Sequence, residues 1–338
     1  MVVPFRRMAW LWSTVAAGVA RLSSAQPVYV LAVLGLYIVS VFITGARWRG
    51  FLRALGHDVS VVQAALATLG GIAAGNITPS RLGTEPCRVA LVRLAAPVTW
   101  GQVTRAAAWD RLSEAPAIAV LVVMSTLAAR RLDAAWGNAV VLVVIFVAIV
   151  GGAIALGRLR RSRTSLRTWI HDLGFEQITP RVFAAGVGYS ALLWVQDVVR
   201  LACAGLAVGV HLSPTQTAML AVSTIVGGLV PTIGGLVVVE GGLVAGLMAF
   251  GVDLPTAMAA TAVERSISFG FSTVAGGLVV AVMGGRSLWT LAVRGAPGAT
   301  TPSYPDRHRH RPHDESQRDA GNDIDGVVVS THDTGDRD

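Results

Sequence analysis

Runs of about 20 mostly apolar residues recur along the chain at 27–46, 104–127, 138–157, 182–210 and 256–283, with a weaker run at 8–24. That length is what a helix needs to cross the hydrocarbon core of a bilayer, so the pattern predicts about six transmembrane helices. Two further apolar stretches, 60–94 and 213–250, are interrupted near their middles. The first breaks at Gly75-Asn76-Ile77-Thr78-Pro79-Ser80-Arg81, the second at Gly227-Gly228-Leu229-Val230-Pro231-Thr232-Ile233-Gly234-Gly235. Proline removes a backbone donor and glycine weakens a helix, leaving halves of about 15 residues that are too short to span. Broken backbone is tolerated at membrane depth only where protein covers it or it lines a cavity. Both stretches are therefore expected to be re-entrant helical hairpins.

The resulting division is a short N-terminal helix (1–26), a first unit (27–127), a linking helix and basic loop (128–181), a second unit (182–295) and a polar tail (296–338). The tail cannot bury a core and is expected to be disordered in the cytoplasm. The two units share markers in order. Ser60-x-x-Gln63, Pro79, Gly83, Glu85 and Asp110-Arg111 match Ser213-x-x-Gln216, Pro231, Gly235, Glu240 and Glu264-Arg265. Gln63 to Pro79 is 16 residues and Gln216 to Pro231 is 15; Pro79 to Asp110 is 31 and Pro231 to Glu264 is 33. Ser-x-x-Gln is a capping-box pattern that starts a helix. A duplication follows, and the lone helix at 138–157 makes the crossings between copies odd, so the second copy is expected upside down, as in many transporters. The hairpins would enter from opposite sides and meet near the midplane.

Composition supports a lipid-solvated chain: 53% of residues are apolar, only 14% are charged, and mean hydropathy is +0.59. All 28 basic residues are arginine, with residues 1–296 near +12 and the tail near −4. A sequence pI of about 10.8 would fit nucleic-acid binding. The arginines instead cluster at the ends of apolar segments, as topology signals do, so no nucleic-acid partner is expected. Arg6, Arg7, Arg47, Arg49, Arg53, the basic loop at 158–167, Arg286 and Arg294 fall on one side, against Arg21, Arg130 and Arg131 on the other. That bias predicts cytoplasmic N- and C-termini. A lysine-free, Ala/Val/Gly-rich chain suggests a GC-rich bacterial genome, hence a bacterial inner membrane. Cys87 and Cys203 make no disulfide framework.

Charges at membrane depth cost about 2.5–3.5 kcal/mol each on insertion scales and usually face a bundle interior, water or a substrate. Those expected there are Arg81, Glu85, Arg88, Asp110, Arg111, Glu114, Asp197, Arg200, Glu240, Glu264 and Arg265. The second half of each hairpin begins after Pro79 or Pro231, and a helix N-terminus favours an anion. Two such ends with Arg81, Arg88, Arg111 and Arg265 nearby describe a phosphate site, since guanidinium donates bidentately. Glu85 and Glu240 would balance the arginines or hold a substrate amine, and Gly235 would allow close approach. Asp110, Glu264 and the two prolines complete the candidate substrate-binding set. Asp197 and Arg200, three apart, are expected to pair within the membrane, as structural ballast or as a transport site. No nucleophile elbow, phosphate loop or metal-ligand cluster is present, so no catalytic residue, metal or cofactor is expected.

Pro79-Ser80-Arg81-Leu82-Gly83-Thr84-Glu85-Pro86-x-Arg88 with Asp110-Arg111 resembles the first signature of the lysylphosphatidylglycerol synthase transmembrane-region family, the flippase-like membrane proteins. Pro231-Thr232-Ile233-Gly234-Gly235-Leu236-x-x-x-Glu240-Gly241-Gly242 with Glu264-Arg265 resembles the second, and the basic turn Arg47-Trp48-Arg49-Gly50-Phe51-Leu52-Arg53 also fits. The resemblance covers about residues 27–290; Asp110 stands where the family often has Glu. It implies the lipid-translocating half of a synthase without its aminoacyltransferase domain, with membrane lipids and a separate lipid-modifying enzyme as partners. The expected function is a lipid flippase-like transporter, not an enzyme, for a phospholipid, aminoacyl-phospholipid or polyprenyl-phosphate glycolipid. The alternatives are an ion-coupled carrier of a small soluble anion and a non-transporting accessory of a cell-envelope enzyme.

Overall fold

The computed structural model describes residues 3–79, 81–96, 98–132, 176–229, 232–233 and 235–294. The expected helix at 138–157, the basic loop at 158–167, Pro231 and the tail at 296–338 lie outside the described residues. Secondary structure among the described residues is helical apart from one isolated β-bridge.

Helix α1 (Val3–Ser23) leads into α2 (Pro27–Ala54), the broken pair α3 (Val61–Asn76) and α4 (Thr84–Ala95), and the long α5 (Trp100–Leu132). After the undescribed segment come α6 (Pro180–Ala207), a second broken pair α7 (Pro214–Leu229) and α8 (Val238–Ala249), and α9 (Leu254–Arg265). A π-helical turn, Ser266–Phe271, joins α9 to α10 (Ser272–Arg294). The starts follow local chemistry. Prolines occupy the first turns of α2, α6 and α9, where a missing N–H costs nothing. Both capping boxes form: Gln63 N donates to Ser60 Oγ (3.1 Å) and Ser60 N to Gln63 Oε1 (3.0 Å), while Ser213 and Gln216 repeat this at 3.2 and 2.9 Å.

The halves correspond helix for helix. α2 and α6 are each 28 residues long, α3 and α7 are each 16, and α4 and α8 are each 12. One core gathers Trp48, Phe51, Val92, Val103 and Trp109 within the first half; another gathers Leu201, Leu220, Leu243, Leu247 and Ala260 within the second. Val33, Tyr37, Val41, Ala204, Val263 and Ile267 form the junction between them, where α2 packs along α6. Small residues let backbones close up. A Cβ on Gly45 would lie 2.6 Å from Ala65 N, so α2 and α3 meet only because position 45 is glycine.

Three described stretches are long and apolar enough to cross a membrane: Pro27–Ala54, Pro180–Ala207 and Leu254–Gly285. At 1.5 Å per residue each exceeds the roughly 30 Å hydrocarbon thickness. Their outer faces are apolar: Val28, Leu31, Leu192, Val195, Val274 and Leu278 are all exposed, an arrangement that suits lipid and not water. The chain is an all-α membrane protein.

Several boundaries differ from the sequence expectation. The basic stretch 47–53 is not a turn after a helix ending at 46; α2 continues to Ala54, and Arg47 and Trp48 are buried within it. The helix expected at 256–283 is interrupted by the π turn. The second halves of the broken pairs begin at Thr84 and Val238, five residues past Pro79 and seven past Pro231. The loops are therefore longer, and Arg81 belongs to a loop.

Candidate functional site

The two interhelical loops meet. Pro79 in the α3–α4 loop and Ile233 in the α7–α8 loop form an antiparallel β-bridge. Backbone strain collects at the same place: Arg81 (φ 55°) and Val237 (φ 72°) are the described non-glycine residues with positive φ. For a β-branched residue such a φ is a true outlier, held only where surrounding structure imposes it. Gly235 also has positive φ, 79°, which glycine adopts freely. Gly83, its sequence counterpart, does not (φ −73°); it is small for another reason, since a Cβ there would lie 2.8 Å from Ala74 O.

Beside each loop lies an ion-pair network. In the first half, Asp110 on α5 is fully buried and accepts from Arg47 Nε (2.7 Å), Arg47 Nη2 (3.2 Å) and Arg88 Nη1 (2.7 Å). Arg47 also donates to Ser190 Oγ on α6 (2.7 Å), and the Arg88 guanidinium lies 3.8 Å over the Trp48 ring. Arg111, next to Asp110, turns the other way, donating to Glu85 (2.9 Å) and Glu114 (3.0 Å). In the second half, Arg200 on α6 donates to Glu264 (2.6 Å) and Asp197 (2.9 Å), and its guanidinium sits 5.9 Å over Tyr37 of α2. Arg265 donates to Glu240 (2.6 Å) and to Ser268 in the π turn (3.3 Å).

These networks have one plan. Arg47 and Arg200 each stand 20 residues after the opening proline of their helix (27 to 47, 180 to 200) and each grips the acid of the acid–Arg pair. Ser190 and Tyr37, their contacts across the junction, are each 10 residues after the same prolines. The arginine of each acid–Arg pair reaches back to the acid in the first turn of α4 or α8, where a carboxylate also suits the helix dipole. Sequence reading overlooked Arg47, Tyr37 and Ser190. Aligning the copies from Pro27 and Pro180, instead of from His57 and His211, would have exposed them.

The arginines expected to hold phosphate divide accordingly. Arg88 is 2% exposed and committed to Asp110 and Trp48. Arg111 and Arg265 are paired with Glu85 and Glu240. Arg81 is different: exposed at the loop, its guanidinium has no hydrogen bond or ion pair among the described residues, yet it lies within the electrostatic reach of Arg265, Arg111 and Glu264. Around the loops three further polar atoms are buried without partners: Arg265 Nη2, Glu85 Oε2 and Glu240 Oε2, with Thr232 Oγ1 beside Ile233 as a fourth. The Asp197–Arg200 pair expected from spacing is present and is drawn into the Glu264 contact.

The model of the lysylphosphatidylglycerol synthase transmembrane region matches residues 8–276, a stretch that includes both networks and both loops. The chain belongs to the lysylphosphatidylglycerol synthase transmembrane-region family. Among its relatives is a UPF0104 membrane protein of Pyrococcus horikoshii, 23% identical over 305 residues, covering 80% of this chain and 91% of the relative. Two UPF0104 membrane proteins of Methanothermobacter thermautotrophicus are 27% identical over 306 residues (79% and 86% covered) and 26% identical over 281 residues (73% and 83%). No solved structure matches. For this member of the family, the two Arg–carboxylate networks and the loops between them are the candidate site.

Proposed function

We propose that this protein moves a phosphate-bearing lipid across the membrane along the paired loops and catalyses no reaction on it. The observation that carries the reading is Arg81: a guanidinium on a strained loop, without a carboxylate, where the arginines around it are held by acids. An exposed guanidinium suits the planar, bidentate geometry of a phosphate. Arg265 Nη2 and Thr232 Oγ1 are further open donors, and Glu85 Oε2 and Glu240 Oε2 are open acceptors for an amine on the same headgroup. A zwitterionic or aminoacylated headgroup matches that set, with the acyl tails staying in lipid.

The matched helix lengths, the matched Arg–acid contacts and the bridge between Pro79 and Ile233 support two copies of one unit, inserted in opposite directions, with the broken pairs as re-entrant hairpins. The arginine bias supports cytoplasmic termini in a bacterial inner membrane. A separate lipid-modifying enzyme is the expected supplier of the substrate.

Purified protein in vesicles containing a fluorescent phosphatidylglycerol tests the reading. Leaflet exchange above that of protein-free vesicles, lost in Arg81→Ala, is the expected result. Exchange equal to protein-free vesicles over a panel of phospholipids, with phosphate counterflow instead, would replace lipid by a small soluble anion.

A further inference from the structure

The two networks are not equally charged. The first sets Arg47, Arg88 and Arg111 against Glu85, Asp110 and Glu114 and is neutral. The second sets Arg200 and Arg265 against Asp197, Glu240 and Glu264 and holds one carboxylate in excess. The balancing charge is Arg81, which comes from the other half of the chain and interacts electrostatically with Glu264. The equivalent acids also differ in how they are held. Both oxygens of Asp110 accept from arginine. Glu264 is 4% exposed and gives only Oε1 to Arg200; its Oε2 is buried without a partner.

That oxygen lies at a cavity. Leu201 of α6, Leu220 of α7, Leu243 of α8 and Ala260 of α9 contribute apolar walls, and the polar lining residues are Thr261 and Glu264. Thr261, one turn before Glu264, is 5% exposed and its Oγ1 also lacks a partner. The cavity has a free volume of about 10 Å³, roughly what one water molecule requires. Two oxygens and one water's worth of room exclude a hydrated ion or a solute; they suit a proton. The charged and titratable groups facing Glu264 are Arg200 and Asp197 from α6, Arg81 from the α3–α4 loop, Tyr37 of α2 behind Arg200, and Arg265 next in the chain.

We propose that Glu264 is the proton-accepting group that couples headgroup binding at Arg81 to proton uptake. When a phosphate neutralises Arg81, the second network loses its balancing charge. Glu264 Oε2 then takes a proton from a hydronium ion at the cavity, forming one O–H bond and releasing a water molecule. The resulting neutral carboxylic acid still accepts from Arg200 through Oε1, and Arg200 keeps Asp197 as its counter-ion. No other group changes charge. Release of the headgroup restores the Arg81 field and returns the proton. Glu85 and Glu240, whose side chains are 31% and 29% exposed at the loops, hold the substrate and not the proton. Binding linkage is reciprocal, so protonation should tighten headgroup binding by about 5–150-fold.

This inference rests on Arg81 as the phosphate-binding group, and the test separates the two. The full chain in weakly buffered detergent is titrated with short-chain phosphatidylglycerol while calorimetry follows binding and an indicator dye follows pH. Wild type should take up about one proton per headgroup bound, as expected of a single linked site. Glu264→Gln, which keeps an acceptor for Arg200, should bind the lipid with no uptake, and Arg81→Ala should lose both. Binding without uptake in wild type, or unchanged uptake in Glu264→Gln, overturns the proton role and leaves Arg81 standing. No binding in wild type overturns both. If Glu264→Gln does not fold, infrared difference spectra of wild type decide: lipid must raise a protonated-carboxyl band, and its absence overturns the proposal.

Discussion

Arg47 closes on Asp110 with two hydrogen bonds, 2.7 Å from Nε and 3.2 Å from Nη2, at a place where both side chains are essentially sealed (2% and 0% exposed). Removing one member of a buried pair leaves a charge with no counter-ion and costs about 3–5 kcal/mol. Asp110→Asn strips the charge from a site that also serves Arg88. It should give protein that aggregates or melts well below wild type, measured by thermal scanning fluorescence. A melting temperature equal to wild type would mean that the pair is not structural.

Arg111 and Glu85 make a different kind of pair, with side chains 52% and 31% exposed. Exposed pairs contribute about 0–1 kcal/mol, so Glu85→Gln should leave melting within the range set by that figure. Leaflet exchange should nevertheless fall at least several-fold, because the same carboxylate has Oε2 open toward the proposed headgroup site. Unaltered exchange in Glu85→Gln would remove that carboxylate from the transport path.

Val237 holds φ 72° at the start of α8, a conformation that costs a β-branched residue about 1–3 kcal/mol. Val237→Gly should relieve that strain and raise stability by about 1 kcal/mol. If the strained loop is poised for transport, the same variant should slow exchange. A lower melting temperature would show that the Val237 side chain contributes more than its backbone costs.

Gly45 faces Ala65 so closely that a Cβ would sit 2.6 Å from Ala65 N. Gly45→Val must push α3 away from α2, an overpacking of at least about 1–3 kcal/mol. Size-exclusion profiles should show lost monodisperse protein, while Gly35→Val, where a Cβ meets nothing within 4 Å, should be tolerated.

Asp253 caps α9, accepting from Thr256 N at 3.2 Å and Thr256 Oγ1 at 3.0 Å. The Thr256 hydroxyl bond holds its carboxyl below the usual aspartate range. With the folded value depressed, the capping contribution is complete above the unfolded value of about 4 and is lost as pH falls through the folded one. Wild type should therefore lose stability on acidification in that window more steeply than Asp253→Asn, whose cap does not titrate; parallel melting curves against pH would contradict this.

Sequence alone determined the local elements, because their causes are local. Ser60-x-x-Gln63 and Ser213-x-x-Gln216 start helices through bonds three residues apart, and the Gly/Pro-rich centres break α3 from α4 and α7 from α8 within a residue or two of the expected positions. The lipid-facing class of the chain was equally legible, since apolar length is a property of the string itself. The partners of the charges were not. Arg47 looks like a topology signal until α2 is seen to run on to Ala54, and it reaches Asp110 across 63 residues and Ser190 across 143. Which arginine stays unpaired, Arg81, and which carboxylate keeps an open oxygen, Glu264, are decided only when helices remote in sequence pack together. A charge buried among helices must find its counter-ion in three dimensions, and residue order does not encode that distance.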